Sequence, residues 1–235
     1  FGSYCDAVKL RVKTLRGGAS GGTIASGLNL YKEASADPGI RKEMRDPYSL
    51  CPVEHTFAAR QHNVSVEFDE DFDSWAGPFI MASINTRVVL RSNALLDGHY
   101  HENFKYDEAM LTSVGKKGEK AAKRISTGTK VSMFMMAFSP MRWLATRLFL
   151  PSPGEGPTPE QQLKGCYDLR LLGRTPRGES VSVKVSGDRD PGYGSTAKML
   201  AQAGISLRRD VDKSEVGGGF WTPATVFNDK LITRL

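Results

Sequence analysis

The sequence is poor in cysteine. Its 235 residues hold three, Cys5, Cys51 and Cys166, odd in number, far apart and without a C-x-x-C pair. That spacing excludes a disulfide framework and a cysteine zinc site, and it fits a reducing, cytoplasmic setting. The four histidines, His55, His62, His99 and His101, contain no H-E-x-x-H and no carboxylate at a persuasive metal spacing, so they read as surface residues and no metal is expected. No G-x-S-x-G or other nucleophile signature occurs. Gly17, Gly18, Gly21 and Gly22 do not form G-x-G-x-x-G, and no acid ends a second strand about 20 residues later to hold a ribose. The longest apolar stretch, residues 131–150, contains Pro140, Arg142 and Arg147, which argues against a membrane-spanning helix. Phe1 is preceded by no initiator Met, charged n-region or apolar h-region, so no signal peptide is read. The chain is expected to have been cut or to be a fragment, and its C-terminal helix, without a closing Gly, to be truncated as well.

What is present is the composition of a folded protein, 40% hydrophobic and 25% charged, on a length that suits one large domain or two small ones. The formal net charge of +6 mildly favours acidic partners such as phosphates or anionic lipid surfaces. Much of the excess is local: Lys116, Lys117, Lys120, Lys123, Arg124 and Lys130 lie in a stretch whose only acid is Glu119.

Residues 7–13 alternate apolar and charged, the period of a strand with one wet face. A glycine loop then leads to a helix over residues 23–36 with Thr23 as a cap. Residues 38–45 read as a short helix, and residues 53–77 as an ordered loop. Pro78 is expected to open a helix over residues 79–96 with Ile80, Ile84, Val88 and Leu95 as its apolar stripe. A strand over residues 104–111 follows. Residues 151–157 form a rigid polar connector, so residues 116–157 read as an inserted basic and apolar segment. Strands at residues 165–174 and 179–186 make a hairpin. A helix from Ser195 to Leu207 should bury Met199, Leu200 and Ala203, and a closing helix follows the Thr222 cap and Pro223. Without regular βαβ alternation, the fold class is α+β, a mixed and largely antiparallel sheet covered by helices.

Two constellations stand out, each with a plain alternative. Arg87 and Arg91 share one helix face beside Ser92 and Asn93, where two guanidiniums would grip a carboxylate or phosphate, or else form ion pairs within the fold. Tyr193, Ser195 and Lys198 crowd a glycine-rich loop at residues 187–194, either a ligand loop or a helix capped by Ser195 or Asp190. The loop carrying Ser20, Gly21, Gly22 and Thr23 is a weaker candidate for a phosphate cradle, against a tight turn for close packing. The basic run and the greasy segment after it, residues 116–150, suit an anionic membrane surface or, equally in appearance, a core helix flanked by lysines.

Several segments together resemble the saccharopine dehydrogenase-like oxidoreductases, in particular the trans-acting enoyl reductases of complex-lipid assembly. They are Ser20-Gly-Gly-Thr23, Asp46-Pro-Tyr48, Gly77-Pro-Phe79, Asn85-Thr-Arg87, Arg91-Ser-Asn93, Gly192-Tyr-Gly194 and Thr222-Pro-Ala224. The resemblance implies a Rossmann domain upstream that is absent here, leaving residues 1–235 as the C-terminal substrate-side lid domain of a Rossmann-type oxidoreductase. It implies NADP or NAD held mainly by that missing domain. It also implies reduction of a lipid-linked or acyl substrate in lipid or glycolipid metabolism, and no nucleic acid, with a homodimer left open. It makes Arg87, Arg91, Ser92, Asn93, Tyr193, Ser195 and Lys198 the pocket candidates and names no catalytic residue. The rival is a non-catalytic lipid-surface protein on the same scaffold, cytoplasmic and peripheral on the membrane.

Overall fold

The computed structural model describes residues 2–18, 21–138, 140, 143 and 154–235. Strand β1 (Ala7–Arg16) forms on the alternating pattern, followed by α1 (Gly21–Ala36) and α2 (Pro38–Glu43). Then come β2 (Glu67–Asp69), β3 (Ser74–Pro78), α3 (Ala82–Leu95), β4 (Lys105–Leu111) and α4 (Gly115–Ala137). The chain closes with α5 (Pro159–Lys164), β5 (Cys166–Arg174), β6 (Ser180–Gly187), α6 (Gly194–Arg209), α7 (Pro223–Phe227) and α8 (Asp229–Arg234). Local chemistry explains several boundaries. The Asp37 carboxylate accepts from the Gly39 amide at 2.6 Å to start α2, Thr158 and Gln161 form a capping box on α5, and Thr222 with Thr225 does the same on α7. Residues 19–20 and 144–153, with them Ser20 and the first three residues of the expected connector, lie outside the described residues.

The six strands form one mixed sheet in the order β2-β3-β4-β1-β5-β6. Only the β1–β4 pairing is parallel; the others are antiparallel. The expected α+β class, with its largely antiparallel sheet, is what the chain adopts. Because side chains alternate across a strand, the register places Val8, Leu10, Tyr106, Glu108 and Leu171 on one face and Lys9, Arg11, Asp107 and Arg174 on the other.

The first face carries the helices. Leu90 of α3 packs with Tyr48, Phe104 and Tyr106, and Val8 and Leu10 of β1 close around that cluster. Helix α4 lies on β3, where Gly77 lets backbones meet: a Cβ there would come within 3.2 Å of the Ala122 carbonyl oxygen. The second face is held by charge. Arg11, wholly buried, donates from Nε to Asp69 at 2.6 Å and from Nη1 to Asp107, and its guanidinium carbon lies 5.9 Å from the centre of the Phe72 ring. Lys9 reaches Asp71 at 2.6 Å, and Arg174 reaches the same carboxylate. Burial pushes the Asp71 carboxyl up, but hydrogen bonds from Lys9 and Arg174 outweigh it and hold Asp71 below the usual carboxylate range.

Five expectations from the sequence are corrected. Residues 53–77 include β2 and most of β3, short strands whose Gly77 and Pro78 masked the pattern. Pro78 ends β3 opposite Ala109 instead of opening α3, which starts at Ala82. Of the expected stripe, Ile80 precedes α3 and is 63% exposed, Ile84 and Val88 are 51% and 37% exposed and Leu95 is half-buried, because the helix packs Leu90 against Tyr106 of the sheet. Helix α6 likewise leaves Leu200 70% and Met199 36% exposed and buries Ser195 and Ser206. Helix α1 begins at Gly21, so Thr23 sits inside its first turn and not at the cap.

Removing one member of a buried charge cluster leaves the others uncompensated. Arg11→Met is therefore expected to cost about 3–5 kcal/mol of folding free energy, measured by urea unfolding, whereas Lys184→Met on the exposed edge strand β6 should change it by less than about 0.5 kcal/mol.

Candidate functional site

The residues singled out in the sequence fall into two groups. On α3, Arg87 and Arg91 do share a face, four residues apart, and both turn toward main chain. Arg87 donates to the carbonyls of Met44 (2.5 Å), Asp46 (3.2 Å) and Ser83 and to Ser49 Oγ (3.1 Å). Arg91 donates to the carbonyls of Leu50 and Phe220, the latter at 2.6 Å. Ser92 Oγ lies 2.7 Å from Thr222 Oγ1. Asn93 grips the following turn, donating to the His101 carbonyl at 3.0 Å and accepting from the Tyr100 amide at 2.7 Å. These four side chains tie α3 to residues 44–50, 97–101 and 220–222. A cavity of about 580 Å³ adjoins Arg87; Arg45, Arg60, Tyr48, Gln61 and Thr86 are among its walls.

The second group sits where β1, β5 and β6 end together. Asp190, fully buried, accepts from the amides of Gly192 (3.1 Å), Tyr193 (2.9 Å) and Gly194 (2.7 Å), so it caps α6 and orders the loop. Ser195 Oγ donates to the Arg189 carbonyl at 3.2 Å and is buried. Tyr193 is 38% exposed, and Lys198 is exposed on the second turn of α6. The first glycine loop meets this one. A Cβ on Gly17 would lie 2.8 Å from Pro191 Cδ, a Cβ on Gly18 would lie 3.0 Å from Pro157 Cβ, and the Gly21 amide donates to the Glu155 carbonyl at 2.9 Å. The two glycine loops thus pack against each other at these points, while Gly17 and Gly18 stay open to solvent. Gly22 and Thr23 are exposed at the start of α1.

A third site went unread in the sequence. Val8, Tyr106 and Leu171 on the helix-bearing sheet face, Val89 of α3, and Tyr100 and Phe104 from the loop before β4 line an open cleft of about 400 Å³. Behind its Tyr106 wall lies Glu108, 3% exposed, which accepts from Tyr106 Oη at 2.7 Å and Asn85 Nδ2 at 2.9 Å. Among the described residues, no group of three or more His, Cys, Asp or Glu is placed to hold a metal ion.

The chain is similar to the trans-acting enoyl reductases of mycobacteria. It is 35% identical over 238 residues to a Mycobacterium tuberculosis protein assigned by inference to those enzymes, covering 95% of this chain and 56% of that one. To a trans-acting enoyl reductase of Mycobacterium bovis it is 31% identical over 251 residues, covering the whole of this chain and 58% of that one. To one of Mycobacterium ulcerans it is 30% identical over 228 residues, covering 92% and 54%. The chain therefore spans little more than half the length of these relatives. No family model matches it, and no solved structure does so with significance.

Glu108 was legible in one respect: it is an acid two residues after Tyr106, hence on the same strand face as a large ring. Only the register shows that face to be the buried one. Desolvation raises the Glu108 carboxyl pKa, and the hydrogen bonds from Tyr106 and Asn85 only partly offset it. A carboxyl with a raised pKa in the fold contributes stability that is present at low pH and lost as pH rises through the folded value. Glu108→Gln, neutral at every pH, should therefore match the parent below the ordinary glutamate pKa of about 4.3. It should become the more stable of the two at neutral and alkaline pH, as thermal melts across that range would show.

Proposed function

We propose that this chain is the substrate-side part of an NAD(P)-dependent oxidoreductase, an enoyl reductase that saturates a carbon-carbon double bond of a lipid-linked substrate. The observation that carries this reading is similarity over nearly the whole chain to trans-acting enoyl reductases. One physical feature supports its being part of a larger unit: large apolar side chains stand open on α3, β6 and α6, including Ile84, Val183 and Leu200.

Saturating an enoyl thioester adds hydride at the β-carbon and a proton at the α-carbon, with NADPH or NADH as the hydride source. This chain's share would be to hold and orient substrate and to exclude water. Tyr193 and Lys198 present exposed polar ends at the junction of the two glycine loops. Ser195, Arg87, Arg91, Ser92 and Asn93 would act by fixing the loops that shape the pocket. The test is turnover by the full-length protein. Reduced nicotinamide should be consumed with enoyl thioesters and not with their saturated counterparts, and Lys198→Ala should lower kcat/KM on enoyl thioesters by about 10-fold. No consumption with any enoyl chain would remove this reading.

A second reading, association with an anionic membrane surface, is favoured by α4. Lys116, Lys117, Lys120 and Arg124 are exposed toward its start, while Val131, Met133 and Phe134 are exposed near its end. Among the described residues no helix is long and apolar enough to cross a membrane. Flotation with anionic vesicles should carry the protein upward and should lose it when Lys116, Lys117, Lys120 and Lys123 become Gln; flotation that survives those changes would show that charge is not the anchor.

A further inference from the structure

We propose that the open cavity lined by β1, β4, β5, α3 and the loop before β4 seats the hydrocarbon chain of an acyl ligand. This assignment rests on the enoyl reductase reading for the nature of the chain. The geometry comes from the cavity itself.

Its walls select an apolar guest. No Asp, Glu, Lys or Arg lines it, and the one deeply buried hydroxyl on its wall, that of Tyr106, is already donated to Glu108. A polar ligand would lose its water there and regain little, whereas each methylene buried contributes about 0.8 kcal/mol. The volume of about 400 Å³ lies in the small-molecule range, and the cleft is open on one side, as a chain that continues beyond it requires. Aromatic rings and branched aliphatic side chains together make a slot for a flexible chain.

The cavity also has an exit of the same character. Leu171 on its wall pairs with Val183 of β6, and Val181, Val183 and Val185 point to that sheet face, 42%, 49% and 43% exposed. A chain too long for the cavity would continue along this apolar track on the edge strand. At the N-terminal side, Cys5 is held against the wall by Gly173: a Cβ there would lie 2.8 Å from Cys5 Sγ and 3.2 Å from Val181 Cγ1. Tyr4 next to it stacks on His101 with ring centres 4.3 Å apart. The Cys5 thiol therefore reports on occupancy.

The experiment follows iodoacetamide alkylation of the three free cysteines by peptide mass spectrometry, with dodecanoate, acetate or no addition. Cys166, outside the cavity, is the internal control. Burial pushes the Cys51 thiol up to about 11, so it should react slowly throughout. Dodecanoate should slow alkylation of Cys5 about tenfold and leave Cys166 unchanged, and acetate should do nothing. In parallel, calorimetric binding of dodecanoate should weaken at least about tenfold in Leu171→Trp and in Val89→Phe, two independent ways of filling the space. Circular dichroism would check the fold of each variant.

Equal slowing of Cys5 and Cys166, no slowing, or dodecanoate affinity unchanged in a folded cavity-filled variant would overturn the assignment. The readout needs no cofactor and no turnover, so the two readings fail separately. A full-length protein that reduces enoyl thioesters while dodecanoate ignores this cavity loses only the cavity. One that binds dodecanoate here and reduces nothing loses only the reductase.

Discussion

The contact on which the architecture rests is the buried guanidinium of Arg11. It sits in the central strand, reaches Asp107 on the parallel neighbour β4 and Asp69 at the end of β2, and is wholly screened from water. A buried charge is tolerable only when its partners are in place, so this one residue constrains three strands at once. It favours the β1–β4 pairing that sets Arg11 opposite Ala109. A shift of one residue would point the guanidinium at Leu90 and Tyr106. It also draws the β2–β3 turn over the sheet, and the second cluster of Lys9, Asp71 and Arg174 extends that clamp to β5.

With the paired charges of Arg11 and Lys9 on one face, the other packs mainly apolar side chains around the buried Glu108, and the candidate regions follow from that division. The aromatic cluster of Tyr48, Leu90, Phe104 and Tyr106 seats α3 and leaves the apolar cavity between it and β5. Arg87, Arg91 and Asn93 then bind α3 to the segments on its flanks. At the far end of the sheet, Asp190 organises a loop on which both glycine-rich segments converge. Among the described residues, no hydrogen bond joins the Arg87–Asn93 group to the Tyr193–Lys198 group. They shape separate regions of the molecule.

Local signals were legible wherever the chemistry was local. The alternation in residues 7–13, the hairpin of strands at residues 165–174 and 179–186, the caps at Asp190 and Thr222, and the shared face of Arg87 and Arg91 all depend on neighbours within a few residues. What was not legible depends on register and packing. The strands β2 and β3 are short and broken by Gly and Pro. The cavity is assembled from three strands, a helix and a loop, and Glu108 differs from a solvated strand acid only because its face is covered. The role of Arg87 and Arg91 as holders of carbonyls was likewise invisible, because the carbonyls of Met44, Leu50 and Phe220 carry no sequence signature.

The stripes of α3 and α6 carry a separate lesson. Periodicity detects that a helix has an apolar face; it does not say what covers that face. Ile80, Ile84 and Val88 repeat as a core stripe should, as do Met199 and Ala203, yet Leu90, Asn93 and Ser206 are what the sheet and neighbouring helices bury. The most prominent cations behave in the opposite way. Arg11, Arg91, Arg170 and Arg234 spend their donors inside the chain, on carboxylates or carbonyls. These arginines thus tie parts of the fold together, while branched and aromatic side chains stand open on the outer helix faces and the β6 track and line the cavity. Recognition by such a surface would be governed mainly by the apolar length and shape of what binds, with charge acting at the exposed lysines.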